Sequence, residues 1–162
     1  MDFAAPWDRT LKVVTVVALA VLVWVAVIPP YRPAWAFWLK LGMSVLVTAL
    51  CWFGAPTGYR LDGSVLVVRR NVGEKRIPLQ GLRAARALDK PDIRGTIRTF
   101  GVGGLFGYYG KFYSGALGSH TWYVTDRSRM VLLDTAGGKY LVSPEDTKRF
   151  LAAVRSFLPA KR

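Results

Sequence analysis

The sequence predicts a membrane-anchored α+β protein, in which an apolar two-helix hairpin precedes a small antiparallel β-barrel with a C-terminal capping helix. Two long apolar runs lie within residues 13–54, short strand-like runs separated by tight turns follow, and the last segment has helical spacing. Charge divides the chain in the same way. Residues 1–60 carry a net charge of +3, from five Lys/Arg and two Asp/Glu, whereas residues 61–162 carry +10, from 18 and eight.

The first predicted transmembrane span covers about residues 11–29. Its central part, "VVTVVALAVLVWVAVI" at 13–28, contains no charged residue, and Pro29 and Pro30 end the helix. About 20 residues are needed to cross a bilayer core of roughly 30 Å, so this segment is long enough to span.

The second predicted span covers about residues 34–54. Lys40 interrupts it one turn inside the end marked by Trp35 and Trp38, so its ammonium can reach the lipid headgroups. Small surfaces for close packing against the first helix are offered by Gly42, Ser44, Thr48 and Ala49. Cys51 is the single cysteine, which excludes an internal disulfide.

The connection between the spans has about eight residues and one cation, Arg32, so the two helices must be antiparallel and both chain ends lie on one side. The basic domain, with Arg60, Arg69 and Arg70 close to the second span, favours the cytoplasm for that side. Two alternatives stay open. One is a signal peptide ending at the A-x-A pattern of residues 34–36, and the other is a soluble helical hairpin buried in a core.

The segment after the spans is predicted to form β-hairpins. "YRLDGSVLVVRR" turns at residues 62–63, and a second turn at 71–74 leads into "KRIPLQGL". "HTWYVTD" and "RMVLLDT" flank a third hairpin turn at 126–128, and "KYLVS" follows a turn at 136–138. Strands this short, with turns this tight, predict a small antiparallel barrel or sandwich.

A C-terminal amphipathic helix is predicted to follow the strands. Ser143 is the expected N-cap, Pro144 suits the first helical position, and Glu145 and Asp146 suit the positive end of the helix dipole. One apolar face repeats at helical spacing through Phe150, Leu151, Val154, Phe157 and Leu158.

These segments resemble the bacterial pleckstrin homology (PH) domains over about residues 57–158. The similarity rests on "YRLDGSVLVVRR", "RIPLQGL", "RTFGVGGLFGYYGKF" and "YVTDRSRMVLLDTAGGKYLVSPED". The resemblance implies a PH-like barrel and a membrane-tethered interaction module without known catalytic residues. We therefore expect a bacterial inner-membrane protein with a cytoplasmic N-terminus at 1–12, a helical hairpin at 13–54 and a cytoplasmic basic tail at 159–162.

Residues 100–113, "FGVGGLFGYYGKFY", form a glycine–aromatic block. It fits no nucleotide loop, because G-x-G-x-x-G needs glycine at position 106 and a P-loop needs it at 105. In one interpretation Phe100, Phe106, Tyr108 and Phe112 pack into the barrel. In the other, the block contacts headgroups or a partner. The contact residues would then be Arg98, Leu105, Phe106, Tyr108, Tyr109 and Lys111.

A second candidate surface is the basic turn, defined as Arg69, Arg70, Lys75 and Arg76. Three interpretations remain for these cations. They can be a solvated face, a diffuse attraction to anionic lipid worth about 1 kcal/mol per cation near the surface, or a specific headgroup site.

No catalytic, cofactor-binding or metal-binding residues are predicted, because His120 has no nucleophile or ligand set around it in the sequence. The charge would attract nucleic acid only without specificity, and no small-molecule substrate is indicated. The sequence thus predicts a non-enzymatic scaffold in the bilayer that binds a protein partner or a second copy. The alternatives are binding of anionic headgroups, and an accessory subunit of a transporter or enzyme complex.

Overall fold

The computed structural model describes residues 1–28 and 35–158. Helix α1 spans Arg9–Val27, helix α2 spans Trp35–Gly54, and helix α3 spans Thr147–Arg155. The predicted interhelical loop with Arg32, part of the A-x-A pattern and the basic tail lie outside the described residues.

Two helices near the N-terminus, α1 and α2, are long and apolar enough to cross a membrane. Their side chains are largely exposed: α2 buries none of them, and α1 buries only Leu11, Thr15 and Ala26. Their surfaces are therefore unlike those of helices buried in a soluble core.

The strands form two sheets. The four-stranded sheet has the order β1-β2-β3-β4, and the six-stranded sheet has the order β5-β9-β10-β8-β7-β6. The first sheet consists of β1 Asp2–Ala4, β2 Pro56–Asp62, β3 Val65–Arg70 and β4 Glu74–Pro78. The second consists of β5 Ala84–Leu88, β6 Ile97–Gly103, β7 Tyr108–Ser114, β8 Gly118–Val124, β9 Met130–Thr135 and β10 Gly138–Val142. The predicted turns at 62–63 and 71–74 are confirmed.

The two sheets are not closed into a barrel, so the predicted barrel is wrong in that respect. Across the described residues β4 pairs with β3 and β5 pairs with β9, but β4 and β5 do not pair with each other. Pro78 ends β4, and the chain then crosses to the second sheet. Leu79 and Leu82 in this crossing segment are buried in the core between the sheets.

The predicted third hairpin is also wrong. β8 and β9 do not lie side by side, because β10 is inserted between them, parallel to β8 and antiparallel to β9. The turn after β8 is held by Ser143, whose hydroxyl accepts from the backbone N–H of Thr125 at 2.8 Å and of Asp126 at 3.2 Å. These bonds fix the end of β8 to the end of β10, so β9 enters the sheet on the far side of β10.

Both faces of the six-stranded sheet are covered at β9, an interior strand. In β9, Val131 and Leu133 point into the core shared with the four-stranded sheet and α3, whereas Met130 and Leu132 point into a second core. The second core is completed by Ile93 from the connection between β5 and β6, and by Leu11 from α1.

Helix α3 begins later than predicted. Its N-cap is Asp146, whose carboxylate accepts from Arg149 N at 2.9 Å, so the assignment of the cap to Ser143 is wrong. Ser143 is instead buried in the hydrogen bonds that hold β8 and β10. The predicted apolar face is confirmed at Phe150, Leu151 and Val154, which are buried.

Tyr59 supplies a first test of the core. Its hydroxyl donates to Tyr123 O at 2.6 Å and accepts from Ser143 N at 3.0 Å. We expect Tyr59→Phe to lower the free energy of unfolding by about 1–3 kcal/mol, because both partners lose a buried hydrogen bond. Urea unfolding of the full chain in detergent measures this, with the exposed Tyr113→Phe as control.

The same residue predicts a pH dependence. Burial raises the pKa of Tyr59 from 10.0 to about 12. Because the folded-state pKa is the higher one, this contribution to stability is complete below pH 10 and is lost as the pH rises to about 12. The loss amounts to about 2–3 kcal/mol, and Tyr59→Phe should lack it. If Tyr59→Phe loses the same stability between pH 10 and pH 12, the loss cannot be assigned to ionisation of Tyr59.

Candidate functional site

The start of α1 is fixed to the β-domain. Asp8 caps the helix by accepting from Leu11 N, and its other carboxylate oxygen accepts from Arg127 N at 3.1 Å. The Asp8 N–H donates to Thr125 O at 3.2 Å. The first turn of α1 is therefore held against the turn between β8 and β9, which fixes the direction of the helix.

The glycine–aromatic block packs against α1. The Thr15 hydroxyl donates to Gly104 O at 3.1 Å and accepts from Phe106 N at 3.1 Å. A Cβ on Gly104 would lie 2.7 Å from Val14 Cγ1, so only glycine allows this approach. The Phe106 ring lies 6.3 Å from the Trp7 ring. The turn between β6 and β7 is therefore docked on the first helix of its own chain.

The same block also contacts α2. Tyr109 donates its hydroxyl hydrogen to Cys51 O near the end of that helix. Burial raises the pKa of Tyr109 above its ordinary value, so this donor stays protonated into the alkaline range. Gly104 and Tyr109 therefore join the β6–β7 hairpin to both long helices.

The outcome for the block is mixed. Tyr108 and Phe112 are buried in the second core, as the packing interpretation expects, but Phe100 is 78% exposed. Beside Phe100, Gly101 and Gly110 face each other across β6 and β7 with φ of 123° and 122°. A Cβ on either would lie within 2.3 Å of a backbone oxygen, so this close pair requires glycine on both strands. A register shift lies next to the pair, between Arg98 and Phe100.

The basic turn lies at the end of α2. The Asn71 side chain donates to Trp52 O at 2.9 Å, and Val72 N donates to Phe53 O at 3.1 Å. These bonds satisfy carbonyl groups in the last turn of the helix, where helices leave acceptors free. Arg69, Lys75 and Arg76 are exposed and Arg70 is half-buried.

A second group of cations lies beside the glycine–aromatic block. Arg98 on β6 lines a pocket with Thr96, Trp122 and Arg127. The Arg127 guanidinium lies 5.5 Å from the centroid of the Tyr108 ring. Of the remaining sequence candidates, Lys111 is exposed on β7 and Leu105 is half-buried in the turn. Sequence analysis missed Thr15, Asn71, Thr96, Trp122 and Arg127, because their roles depend on partners distant in the chain.

His120 belongs to the second core. It is buried beside Phe112 and Trp122, and its Nδ1 lies 2.8 Å from Gly118 O. Burial lowers its pKa, so the neutral ring is favoured. Within residues 1–28 and 35–158, no group of three His, Cys, Asp or Glu is placed to hold a metal ion.

A groove of about 480 Å³ separates α1 and α2. Its walls are almost entirely apolar, and Phe106 of the glycine–aromatic block lines it. Ser44, Thr48 and Ala49, which were predicted to pack closely against the first helix, instead line this groove between the helices, and Gly42 faces open space.

A family model for the bacterial PH domain matches residues 57–157 of this fold. The chain belongs to the bacterial PH domain family. No curated protein and no solved structure matches it. PH domains are generally non-catalytic modules that bind proteins or lipids. In this PH domain, β1 comes from before α1, so the long helices are inserted between the first and second strands of one sheet.

Proposed function

We propose that α1 and α2 span the bacterial inner membrane and hold the PH domain at its cytoplasmic surface as a scaffolding module. The apolar side chains of both helices are exposed. Contact of these side chains with lipid is favourable, whereas their contact with water costs free energy. The start of α1 and the end of α2 contact the same domain, and its net charge favours the cytoplasm.

The N-terminal residues argue against a cleaved signal peptide. Phe3 and Leu11 are both buried in the cores of the PH domain, and Asp2–Ala4 pair with β2. Cleavage at residues 34–36 would remove one strand and the core side chains of Phe3, Ala5 and Leu11. Retention of α1 in the mature protein is therefore favoured.

The binding function is carried by one observation: β6 is an open sheet edge with exposed apolar side chains. Among the strands of residues 1–28 and 35–158 it pairs with β7 alone, and every residue in it is exposed or half-buried. Ile97 is 61% exposed, and Arg98 is the only charged residue of the strand. An edge with these properties favours pairing with another strand. We propose that a second copy of the chain pairs with it through its own β6.

The mass of the full chain in detergent micelles, followed over protein concentration by light scattering, tests this assembly. We expect a two-chain species that Phe100→Lys converts to one chain, because a cation on the edge opposes strand addition. Val72→Lys introduces the same charge at an exposed apolar residue away from β6 and should leave the dimer intact. A one-chain mass at all concentrations would refute self-assembly through β6.

A further inference from the structure

A pocket of about 280 Å³ lies between β6, β7 and β8, next to the turn that holds the start of α1. Its walls include Thr96, Arg98, Tyr108, Trp122 and Arg127. None of these residues belongs to the basic turn, whereas Arg98 and Tyr108 are among the contact residues predicted for the glycine–aromatic block.

Two residues that line this pocket each carry a buried polar atom without a partner among the described residues. Trp122 is only 2% exposed, and neither its indole Nε1 nor Thr96 Oγ1 makes a hydrogen bond within residues 1–28 and 35–158. Leaving a buried donor unpaired is costly, so such groups in a native fold need an explanation. The Trp122 ring stacks on Phe112 with centroids 4.3 Å apart, which fixes the direction of the N–H.

The pocket is also cationic. Arg127 lies over the Tyr108 ring, and Arg98 occupies space that glycine leaves free, because a Cβ on Gly103 would lie 2.9 Å from Arg98 Nη1. Among the described residues, no carboxylate lines this pocket. Asp8 lines a neighbouring pocket together with Arg94 and Arg127.

The hydrogen-bonding groups that line the pocket indicate what kind of ligand would bind there. An indole N–H and two guanidinium groups only donate hydrogen bonds, and a threonine hydroxyl can donate as well. The complementary ligand is a compact anion with several acceptor oxygens, and the arginine fork matches phosphate in particular.

We propose that this pocket binds a phosphate group, and that the phosphate belongs to the headgroup of an anionic phospholipid. A lipid is the proposed source of the phosphate because of where the pocket lies. This step rests on the proposed placement of α1 in the membrane. The backbone N–H of Arg127 donates to the carboxylate of Asp8, the cap of α1, so the pocket lies beside the start of the helix, where it would enter the bilayer. Arg98 and Arg127 are exposed, and binding requires a local shift of the side chains that cover the buried indole N–H.

The test uses the full chain and two variants of the pocket. Trp122→Phe keeps the stacked ring and removes the donor, and Arg98→Gln/Arg127→Gln removes the charge. The matched control, Arg69→Gln/Arg76→Gln, removes the same charge from the basic turn. Thermal unfolding before titration shows that each variant is folded.

The first arm measures phosphatidylglycerol retained per chain by native mass spectrometry, after reconstitution in phosphatidylcholine nanodiscs that contain phosphatidylglycerol. We expect one retained lipid, with affinity lowered about tenfold in both pocket variants. The control should bind as the wild type does. Equal losses in control and pocket variants would overturn the proposal, because diffuse attraction would then explain the binding.

The second arm titrates inorganic phosphate and glycerol phosphate into the chain in detergent, where no bilayer is needed. Weak binding that depends on Trp122, with strong retention of phosphatidylglycerol, supports the lipid headgroup. Tight binding of the soluble phosphates alone would refute the lipid source. Absence of both kinds of binding would refute the site. Failure of the chain to enter nanodiscs would refute the membrane placement, while this arm still tests the pocket.

Discussion

Phe3→Ala should destabilise the PH domain by about 3–5 kcal/mol, although Phe3 lies outside the segment that matches the family. Its ring is buried between the sheets and meets the Phe150 ring edge-on, with centroids 5.1 Å apart. Truncation removes this contact and leaves a cavity that α3 cannot easily fill. A loss of this size is a large fraction of the stability of a typical domain.

Thermal unfolding of the full chain in detergent, followed by circular dichroism, measures the effect. Asp2→Asn is the control, because Asp2 lies on the same strand but its side chain forms an exposed ion pair with Arg60. Exposed pairs contribute little, so this variant should unfold close to the wild type. Equal unfolding temperatures for the two variants would show that β1 is not part of the domain core.

The role of β1 also shows where the sequence stops predicting the fold. The strand has three residues, Asp2–Ala4, which is too short for a recognisable alternation. Its position is set by Met1, whose amino group donates to Leu61 O at 2.9 Å, and by Phe150 near the other end of the chain. Neither partner can be identified from local pattern.

The turn at 126–128 shows that local residues do not determine which strands pair. Its Asp126 side chain accepts from Ser128 N at 2.8 Å, the local geometry that a hairpin turn also has. Local residues therefore predict the turn correctly and the strand pairing wrongly. The pairing depends on Ser143, which belongs to a later strand end and is read from sequence as a helix cap.

The candidate sites were predictable to the extent that they depend on residue type. Glycines with aromatics and clustered arginines mark the glycine–aromatic block and the basic turn, and both surfaces contact the long helices. The sequence could not indicate that Thr15 would pair with Gly104, because a threonine in an apolar run looks like a neutral member of a span. Nor could it indicate that the Trp122 N–H would lack a partner among residues 1–28 and 35–158.

Leu11→Ala should be the most informative change in α1. Leu11 is fully buried in the second core with Leu88 and Ile93, so the first turns of the helix act as part of the domain. Truncation should cost about 2–5 kcal/mol and loosen the attachment between helix and sheet. Amide hydrogen exchange of the full chain in detergent should then rise in β7 and β8, which face this core.

Val13→Ala is the matched control, since Val13 lies on the same helix but is 56% exposed. In a bilayer its side chain would face lipid, and its truncation leaves no cavity in the domain. If the amides of β7 and β8 are equally protected from exchange in both variants, the helix is only tethered to the domain. If Leu11→Ala alone loses protection, the PH domain and the first helix form one folding unit. An anion bound near Arg127 would then be held at a fixed height relative to the membrane.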